Sequence, residues 1–369
     1  MKIPFYDYAR MYAYEKQFVS PYIEDVLKRS DFILREDLAK FEDQLARYLD
    51  IEGVIGVANG TDALWLTLIA AGIESGDEVI IPSHTYIATA DAIKFVGGVP
   101  VLVDCSEDHL IDINAISDAI TPRTRAIIPV NLNGRACDLT LITELANNKD
   151  LIVIEDNAQG LGAKLNGQST GSFGIASSLS FFPAKILGCY GDGGAVVTNS
   201  EEIKKSILKL RNHGRNHEGL VVGWGFNSRL DNLQAAILSA KLPLLDSGIS
   251  KRREIASAYC KGLEDVEQIK LPEPPKTDAL RFDSFQNFEI EAENRDELIK
   301  YLSQNGIGTS LPWGGKAIHE FNLPGVKVMD LKQTIEIFKK VLLLPLNQYL
   351  TFEEIDYVIK AVRDFYKYE

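Results

Sequence analysis

The chain has 369 residues, of which 46% are hydrophobic and 25% are charged, the balance of an ordinary soluble protein with a large buried core. This composition excludes a disordered chain, a collagen-like chain and a small disulfide-linked scaffold. The 52 acidic side chains outnumber the 39 basic ones and give a net charge of −13, so long-range repulsion argues against a nucleic acid partner.

The cellular compartment is predicted from apolar segments and from the positions of the cysteines. No apolar run approaches the roughly 18 to 20 residues that span a bilayer, and the first residues contain no apolar signal core. The four cysteines lie far apart in sequence without a C-x-x-C pair, which predicts buried free thiols rather than a zinc ribbon or a redox pair. We therefore expect a cytoplasmic protein with no membrane partner.

From about residue 54 to residue 200, short β-rich runs alternate with helix-like stretches. In chain order the runs are VIGVA, EVIIPS, VPVLVD, RAIIPV, LIVIEDN, SSLSFF and GAVVTN. This alternation predicts a mostly parallel sheet covered by helices. Several runs are apolar throughout, so the sheet is expected to be buried on both faces. Chemistry in such sheets gathers at the carboxyl ends of the strands.

Beyond Asn199 the pattern becomes helical, and after the Pro-rich break LPEPPK it predicts a small α+β domain. Asn305-Gly306 is typical of a helix end with a left-handed cap. Thr351 and Glu354 have the spacing of a capping box at the start of the last helix. The predicted domains are residues 1–248 and 249–369.

The motif VANGTDALWLTLIAAG contains a candidate phosphate-binding helix start. Gly60 lets the backbone approach a ligand closely, and Thr61 can cap the helix or offer its hydroxyl. Free N–H groups and the helix dipole at such a start favour an anion. The alternative is an ordinary helix start with a threonine cap.

Two further motifs place ionisable groups beside strands. In LIVIEDNAQG, Glu155 and Asp156 end a hydrophobic strand, and strand alternation turns them to opposite faces, so only one can face a given ligand. In SSLSFFPAKILGCYGDGGAVVTN, Lys185 either extends its ammonium into water or, if desolvated, attacks a carbonyl to form a Schiff base. A phosphate cup, a carboxylate and such a lysine together fit pyridoxal phosphate.

The sequence resembles the DegT/DnrJ/EryC1/StrS family of sugar aminotransferases over nearly its whole length. The motifs that carry the resemblance are NGTDAL, EVIIPSHTYIATADAI, VDC, IEDNAQGLGA, SFFPAKILGCYGDGGA, RNHG and NSRLDNLQAAIL. The resemblance implies a type I aminotransferase fold, with a mostly parallel mixed sheet between helices and a small C-terminal α+β domain. It also implies pyridoxal 5′-phosphate as cofactor and a homodimer with shared active sites.

The same resemblance implies a reaction in deoxyaminosugar biosynthesis. L-Glutamate would give its amino group, through pyridoxamine phosphate, to a 3- or 4-keto-deoxy sugar on a nucleoside diphosphate. A sugar dehydratase dependent on the same cofactor is an alternative, but the family's dehydratases typically replace the lysine by histidine. A cofactor-binding sensor without turnover is the other alternative.

The resemblance also implies roles for individual residues. Lys185 would hold the cofactor and move the proton, and Asp156 would pair with the pyridine nitrogen. Tyr86 would stack on the ring, Gln159 would lie near the ring hydroxyl, and the phosphate contacts would be Gly60, Thr61, Ser180 and, from the neighbouring subunit, Asn227. The substrate-binding candidates are His213, Arg215, Arg229, Trp313 and His319.

The sequence departs from the family pattern at two places. Asn131 stands where a histidine is common, and the loop LPWGGKAIH replaces an aromatic-Pro segment before His319. These departures leave the sugar and the aminated carbon open. No metal site is predicted, because His213 and His217, although four residues apart, flank a glycine that favours a loop and lack a third ligand.

Overall fold

The computed structural model describes residues 1–276 and 280–367. Its helices are α1 Tyr8–Arg29, α2 Glu36–Leu49, α3 Gly60–Ala70, α4 Ile87–Phe95, α5 Ile113–Ala119, α6 Leu139–Asn147, α7 Glu201–Leu210, α8 Asn232–Lys241, α9 Leu245–Leu263, α10 Arg295–Gln304, α11 Lys332–Lys340 and α12 Phe352–Lys367. Its strands are β1 Gly53–Val57, β2 Glu78–Pro82, β3 Val99–Val103, β4 Thr124–Ile127, β5 Ile152–Asp156, β6 Lys164–Leu165, β7 Gln168–Ser169, β8 Ala176–Ser180, β9 Gly194–Thr198, β10 Ile269–Lys270, β11 Arg281–Phe282, β12 Phe288–Ala292, β13 Lys327–Val328 and β14 Val341–Leu344. All seven predicted β-rich runs form strands.

The large sheet has eight strands in the order β1-β9-β8-β5-β4-β2-β3-β13. Strand β9 runs antiparallel to β1 and β8, and the other pairs in this sheet are parallel. Alternate residues of β2 pack into different cores: Ile80 lies with residues of α5 and α6, whereas Val79 and Ile81 lie with residues of α3 and α4. Helices therefore cover both faces, as the apolar runs predict.

The C-terminal part contains a three-stranded antiparallel sheet in the order β10-β12-β14. Its core also takes in buried residues of α9, α10 and α12. The predicted boundary between residues 248 and 249 falls inside α9, and β13 returns to pair with β3 of the large sheet. The α+β character is confirmed, while the division into two domains, which also includes residues outside the described part, stays a prediction.

Helix ends in the C-terminal part follow the sequence signals. Thr351 Oγ1 accepts a hydrogen bond from the Glu354 N–H at 3.2 Å, and Glu354 Oε2 accepts one from the Thr351 N–H at 2.9 Å. Helix α10 ends before Asn305, and Gly306 has a φ of +75°, in the left-handed region. Both predicted signals are confirmed.

Helix α1 is anchored by a buried carboxylate. Glu15 is 3% exposed, and its side chain accepts hydrogen bonds from Tyr190 Oη at 2.8 Å and Tyr349 Oη at 2.6 Å. Lys241 Nζ lies 2.9 Å from Glu15 Oε1. One carboxylate thus joins the N-terminal helix to α8 and to the C-terminal part. No helix among the described residues is long and apolar enough to cross a membrane.

Candidate active site

One cavity of about 770 Å³ lies at the carboxyl ends of β1, β2, β5 and β8. This is the edge where ligands of parallel sheets bind. The structure brings eight of the predicted site residues to this cavity: Gly60, Thr61, Tyr86, Asp156, Gln159, Ser180, Lys185 and Trp313.

The N-terminus of α3 packs tightly against β8. A Cβ at Gly60 would lie 2.9 Å from the Cβ of Ser180, closer than side chains tolerate, so glycine is needed for this approach. The cap of α3 is Asn59, whose Oδ1 accepts a hydrogen bond from the Asp62 N–H at 2.8 Å. Thr61 is therefore not the cap, which corrects one of the two roles considered for it. The helix start presents a site suited to an anion.

Lys185 extends into the cavity from the turn after β8. The Lys185 N–H donates to the Phe182 carbonyl at 2.8 Å, and Nζ has no hydrogen bond or ion pair with the described residues. Burial lowers the pKa of Lys185 to about 8, although the charge of Asp156 opposes this shift. The amine is thus partly neutral near physiological pH and available as a nucleophile or base.

Gln286 holds the backbone on both sides of Lys185. Its Oε1 accepts a hydrogen bond from the Ile186 N–H at 2.8 Å, and its Nε2 donates to the Ala184 carbonyl at 2.8 Å. Gln286 is buried and lines the cavity. The sequence analysis missed this residue, because it lies about 100 positions away in a segment without a motif.

Asp156 faces the cavity from the end of β5. Its Oδ2 accepts a hydrogen bond from Thr89 Oγ1 at 2.8 Å, and its Oδ1 accepts one from the Ala158 N–H at 3.2 Å. Thr85 Oγ1 lies 3.0 Å from Thr89 Oγ1. Burial raises the pKa of Asp156, and the hydrogen bond from Thr89 and the charge of Lys185 oppose this shift. A cationic partner in the cavity would favour the carboxylate.

Glu155 points to the other side of the strand. Its carboxylate is 0% exposed and accepts hydrogen bonds from the N–H groups of Gly171, Phe173 and Gly174 at 2.7, 2.8 and 3.2 Å. Asn131 Nδ2 also donates to Glu155, at 3.1 Å. Glu155 therefore holds a loop in place, and Asn131, one of the departures from the family pattern, is part of that support.

The remaining walls combine an amide and two aromatic rings. Gln159 Oε1 accepts a hydrogen bond from the Asn133 N–H at 2.8 Å, which fixes the side chain at the cavity wall. The rings of Tyr86 and Trp313 lie 5.7 Å apart at 44°. Within the described structure, Trp313 Nε1 is buried without a hydrogen-bond partner, so a donor remains available beside the cavity.

Five predicted site residues do not line this cavity. His213, Arg215 and Asn227 are exposed on the segment between α7 and α8, and the half-buried Arg229 donates to Asn212 Oδ1 at 3.3 Å. His319 lines a separate cavity of about 240 Å³, and its Nδ1 lies 2.9 Å from Ser83 Oγ. Their binding roles stay predictions.

The profile of the DegT/DnrJ/EryC1/StrS aminotransferase family matches residues 14–363. The chain belongs to this family. The family depends on pyridoxal phosphate, so the predicted cofactor is confirmed, and the chain is a transaminase with the type I aminotransferase fold.

Curated relatives of this DegT-family chain include proteins with sugar-related names. The "dTDP-3-amino-3,4,6-trideoxy-alpha-D-glucose transaminase" of Streptomyces venezuelae is 37% identical, over 99% of this chain and 96% of the relative. The "UDP-N-acetyl-3-dehydro-alpha-D-glucosamine 3-aminotranferase" of Acidithiobacillus ferrooxidans is 41% identical, over 84% and 83%. The "Pleiotropic regulatory protein" of Geobacillus stearothermophilus is 37% identical, over 100% of both chains.

Solved structures of the same family superpose over almost the whole chain. A DegT/DnrJ/EryC1/StrS aminotransferase from Brucella abortus has a TM-score of 0.93 and 35% identity, with 99% of both chains covered. NtdA from Bacillus subtilis, solved with bound cofactor PMP, has a TM-score of 0.89 and 31% identity, with 99% of this chain and 85% of that chain covered.

Proposed function

We propose that this transaminase moves an amino group from L-glutamate to a 3-keto sugar carried by a nucleoside diphosphate, in a cytoplasmic homodimer. The observation that carries the proposal is the convergence of Lys185 and Asp156 in one cavity with the N-terminus of α3. The names of two relatives support the acceptor class, since each contains a nucleoside diphosphate and position 3 of a sugar.

The donor set of the cavity fits pyridoxal phosphate. The N–H groups at Gly60 and Thr61, with the Ser180 hydroxyl, would hold the phosphate, because a helix start pressed against a hydroxyl suits an anion. Asp156 would meet the pyridine nitrogen and Lys185 the aldehyde. When bound, the cofactor supplies an aldehyde for amino-group exchange and a ring that accepts the electron pair of the broken Cα–H bond.

Lys185 is placed to move the proton. With the amino donor bound to the cofactor, the neutral amine of Lys185 would accept the proton from the donor's Cα and deliver it to C4′ of the cofactor, and it would move a proton in the opposite direction when the sugar is aminated. With its pKa lowered to about 8, Lys185 can act in both directions near neutral pH. Asp156, oriented by Thr89 and the Ala158 N–H, would keep the proton on the ring nitrogen of the bound cofactor, because a carboxylate favours a neighbouring cation.

The homodimer is supported by the surface beside Asn227. Leu220, Val221, Val222 and Trp224 are exposed, and Trp224 is 97% exposed. Four large apolar side chains exposed within five residues are typical of a contact with another protein. Asn227 is exposed and lies outside the cavity of its own chain, so we assign it to the phosphate of the neighbouring subunit. All four cysteines are free, in keeping with a reducing cytoplasm.

A regulatory function is the second candidate, favoured by the name of the Geobacillus relative. In this reading the chain binds the cofactor and responds to it without completing a reaction. The lowered pKa of Lys185 argues for turnover, because an amine that is partly neutral near pH 7 can move a proton, which a sensor that only binds the cofactor does not require.

The deciding experiment follows both half-reactions. The purified protein with pyridoxal phosphate should change its visible absorption on addition of L-glutamate and release one equivalent of 2-oxoglutarate per site. The Lys185→Ala variant should do neither. The glutamate-treated protein is then mixed with 3-keto and 4-keto sugars on UDP or dTDP, and the products are identified by mass spectrometry and NMR.

The outcomes separate the parts of the proposal. No release of 2-oxoglutarate would contradict the donor, and transfer to other amino acceptors only would contradict the sugar. Amination of 4-keto sugars alone would contradict the assignment to position 3. Cofactor binding without either half-reaction would favour the regulatory candidate.

A further inference from the structure

A second cluster of ionisable side chains lies outside the active-site cavity. His84, His109 and Glu289 each offer one ligand atom, and these atoms lie within 4.8 Å of one another. His84 follows β2, His109 follows β3, and Glu289 lies on β12. The cluster therefore joins two loops of the large sheet to the C-terminal part of the chain.

His84 is buried with its polar atoms unpaired. It is 1% exposed, and among the described residues neither Nδ1 nor Nε2 of His84 has a hydrogen-bond partner, and neither does Glu289 Oε2. Buried polar atoms are nearly always hydrogen-bonded, so this group of three calls for an explanation. An ion or a water molecule between His84 and Glu289 would give a partner to His84 Nε2 and to Glu289 Oε2.

The spacing of the unpaired atoms suits a metal ion. His84 Nε2 lies 3.7 Å from Glu289 Oε2, too far for a good hydrogen bond. Two zinc bonds of about 2.0 to 2.2 Å at a tetrahedral angle place their ligand atoms roughly 3.3 to 3.5 Å apart. A small movement of either side chain would therefore allow His84 Nε2 and Glu289 Oε2 to bind the same zinc ion.

The third ligand already has its supporting carboxylate. His109 Nδ1 lies 2.6 Å from Glu289 Oε1, and His109 Nε2 lies 3.1 Å from Glu291 Oε1. Lys270 Nζ is 2.9 Å from the same Glu291 oxygen. Histidines that bind a metal usually donate their other ring N–H to a carboxylate, which fixes the ring. Glu291 occupies that position for His109 Nε2, so Nδ1 is the proposed zinc ligand, and the ion would replace its present contact with Glu289 Oε1.

We propose that His84, His109 and Glu289 bind one zinc ion. Two imidazoles and one carboxylate are a ligand set that zinc accepts, with water in the fourth position. A cavity of about 230 Å³ lined by His109 and Glu289 provides the space for that water and a route of entry. The ion would fasten the loop that leads to Tyr86 onto β12 and so support the wall of the active site.

The test measures metal binding directly. The protein is dialysed against a chelator and titrated with ZnCl₂ by calorimetry, and with CoCl₂ by visible absorption. We expect one ion per chain and the visible bands of tetrahedral cobalt. His84→Phe should weaken zinc binding by more than about 100-fold, and Glu291→Gln by about 10- to 100-fold.

Controls guard against surface binding and misfolding. His217→Ala removes an exposed histidine and should leave the zinc affinity unchanged. Phenylalanine at position 84 keeps the ring contact with Phe338, whose centroid is 4.8 Å from that of His84. If His84→Phe still fails to fold, the cobalt spectrum of the unaltered protein and the affinity of Glu291→Gln decide. Absence of the cobalt bands, or equal zinc affinity in all folded variants, would overturn the proposal.

Discussion

Glu155 and Asp156 are adjacent in sequence but have different roles, since one supports a loop and the other faces the cavity. Asp156 faces the cavity with two hydrogen-bond donors, whereas Glu155 faces a loop with four. Strand alternation predicts opposite faces, but it does not predict which residue faces the ligand. The partners that decide it, Thr89 and Gly171 among them, come from other segments of the chain.

We expect Glu155→Gln to lower the free energy of unfolding by about 2 to 4 kcal/mol, because an amide NH₂ would face N–H donors that lose their acceptor. Urea denaturation measures this change. Asp156→Asn is the matched control. It should change stability by less than about 1 kcal/mol but slow turnover by about 100-fold, since the amide no longer favours the charged ring nitrogen. If Asp156→Asn instead lost stability and Glu155→Gln lost turnover, Glu155 would be the residue that faces the cofactor and Asp156 the structural one.

The lowered pKa of Lys185 predicts how cofactor capture depends on pH. Only the neutral amine attacks an aldehyde, so the rate at which the cofactor-free protein captures pyridoxal phosphate should rise with pH, with a midpoint near the pKa of about 8. Stopped-flow absorption across pH 6 to 11 measures this rate.

Asp156→Asn provides the control for that measurement. The charge of Asp156 favours the ammonium form of Lys185, so its removal should move the midpoint to lower pH. A midpoint near 10.5 in the unaltered protein would mean that Lys185 is solvated like an ordinary surface lysine.

At the scale of single elements, the sequence predicted strands and helix ends well. The seven β-rich runs form strands because each is too short and too β-rich for a helix and is bounded by turn residues. The cap of α3 was assigned less well: Thr61 and Asn59 both suit an N-cap, and only the backbone geometry shows that Asn59 holds that position. The pairing of β13 with β3 joins segments more than 200 residues apart. Strand β13 has only two residues, too few to show the alternation by which a strand is predicted from sequence.

Helix α1 offers a prediction at this scale. We expect Glu15→Gln to lower the free energy of unfolding by about 3 to 5 kcal/mol, because Lys241 would be left buried without a charged partner. The control on the same helix is Glu24→Gln. Glu24 forms an exposed pair with Lys28, and its loss should cost less than about 0.5 kcal/mol. Urea denaturation at a fixed protein concentration compares the two, and equal losses would show that the buried network does not anchor the helix.

For the molecule as a whole, the sequence located the active site but not everything around it. Gly60, Asp156 and Lys185 each lie in a motif next to a predicted strand end, so the rule that strand ends meet at one edge was enough to bring these three residues together. Gln286 and the cluster of His84, His109 and Glu289 could not be found in this way. Their members are separated by 25 to 205 positions, which reflects the docking of the C-terminal part rather than any local pattern.

The proposed sharing of the active site between two subunits gives the prediction that tests the assembly. Asn227 is assigned to the phosphate of the neighbouring subunit, so Asn227→Asp should nearly abolish activity by placing a carboxylate beside a phosphate. Lys185→Ala abolishes activity within its own chain. When the two variants are mixed after mild dissociation, half of the dimers combine one chain of each, and one of their two sites has both intact residues.

Activity should therefore return to about a quarter of that of the unaltered protein. The measurement is glutamate-dependent release of 2-oxoglutarate, before and after mixing. Each variant taken through the same dissociation alone is the control and should stay inactive. If Asn227 instead served its own chain, a mixed dimer would hold one site without Lys185 and one with the aspartate, and mixing would restore nothing. The same result is expected of a monomer, so the molecular mass of the mixture is measured alongside to separate a monomer from a dimer whose sites are complete within one chain.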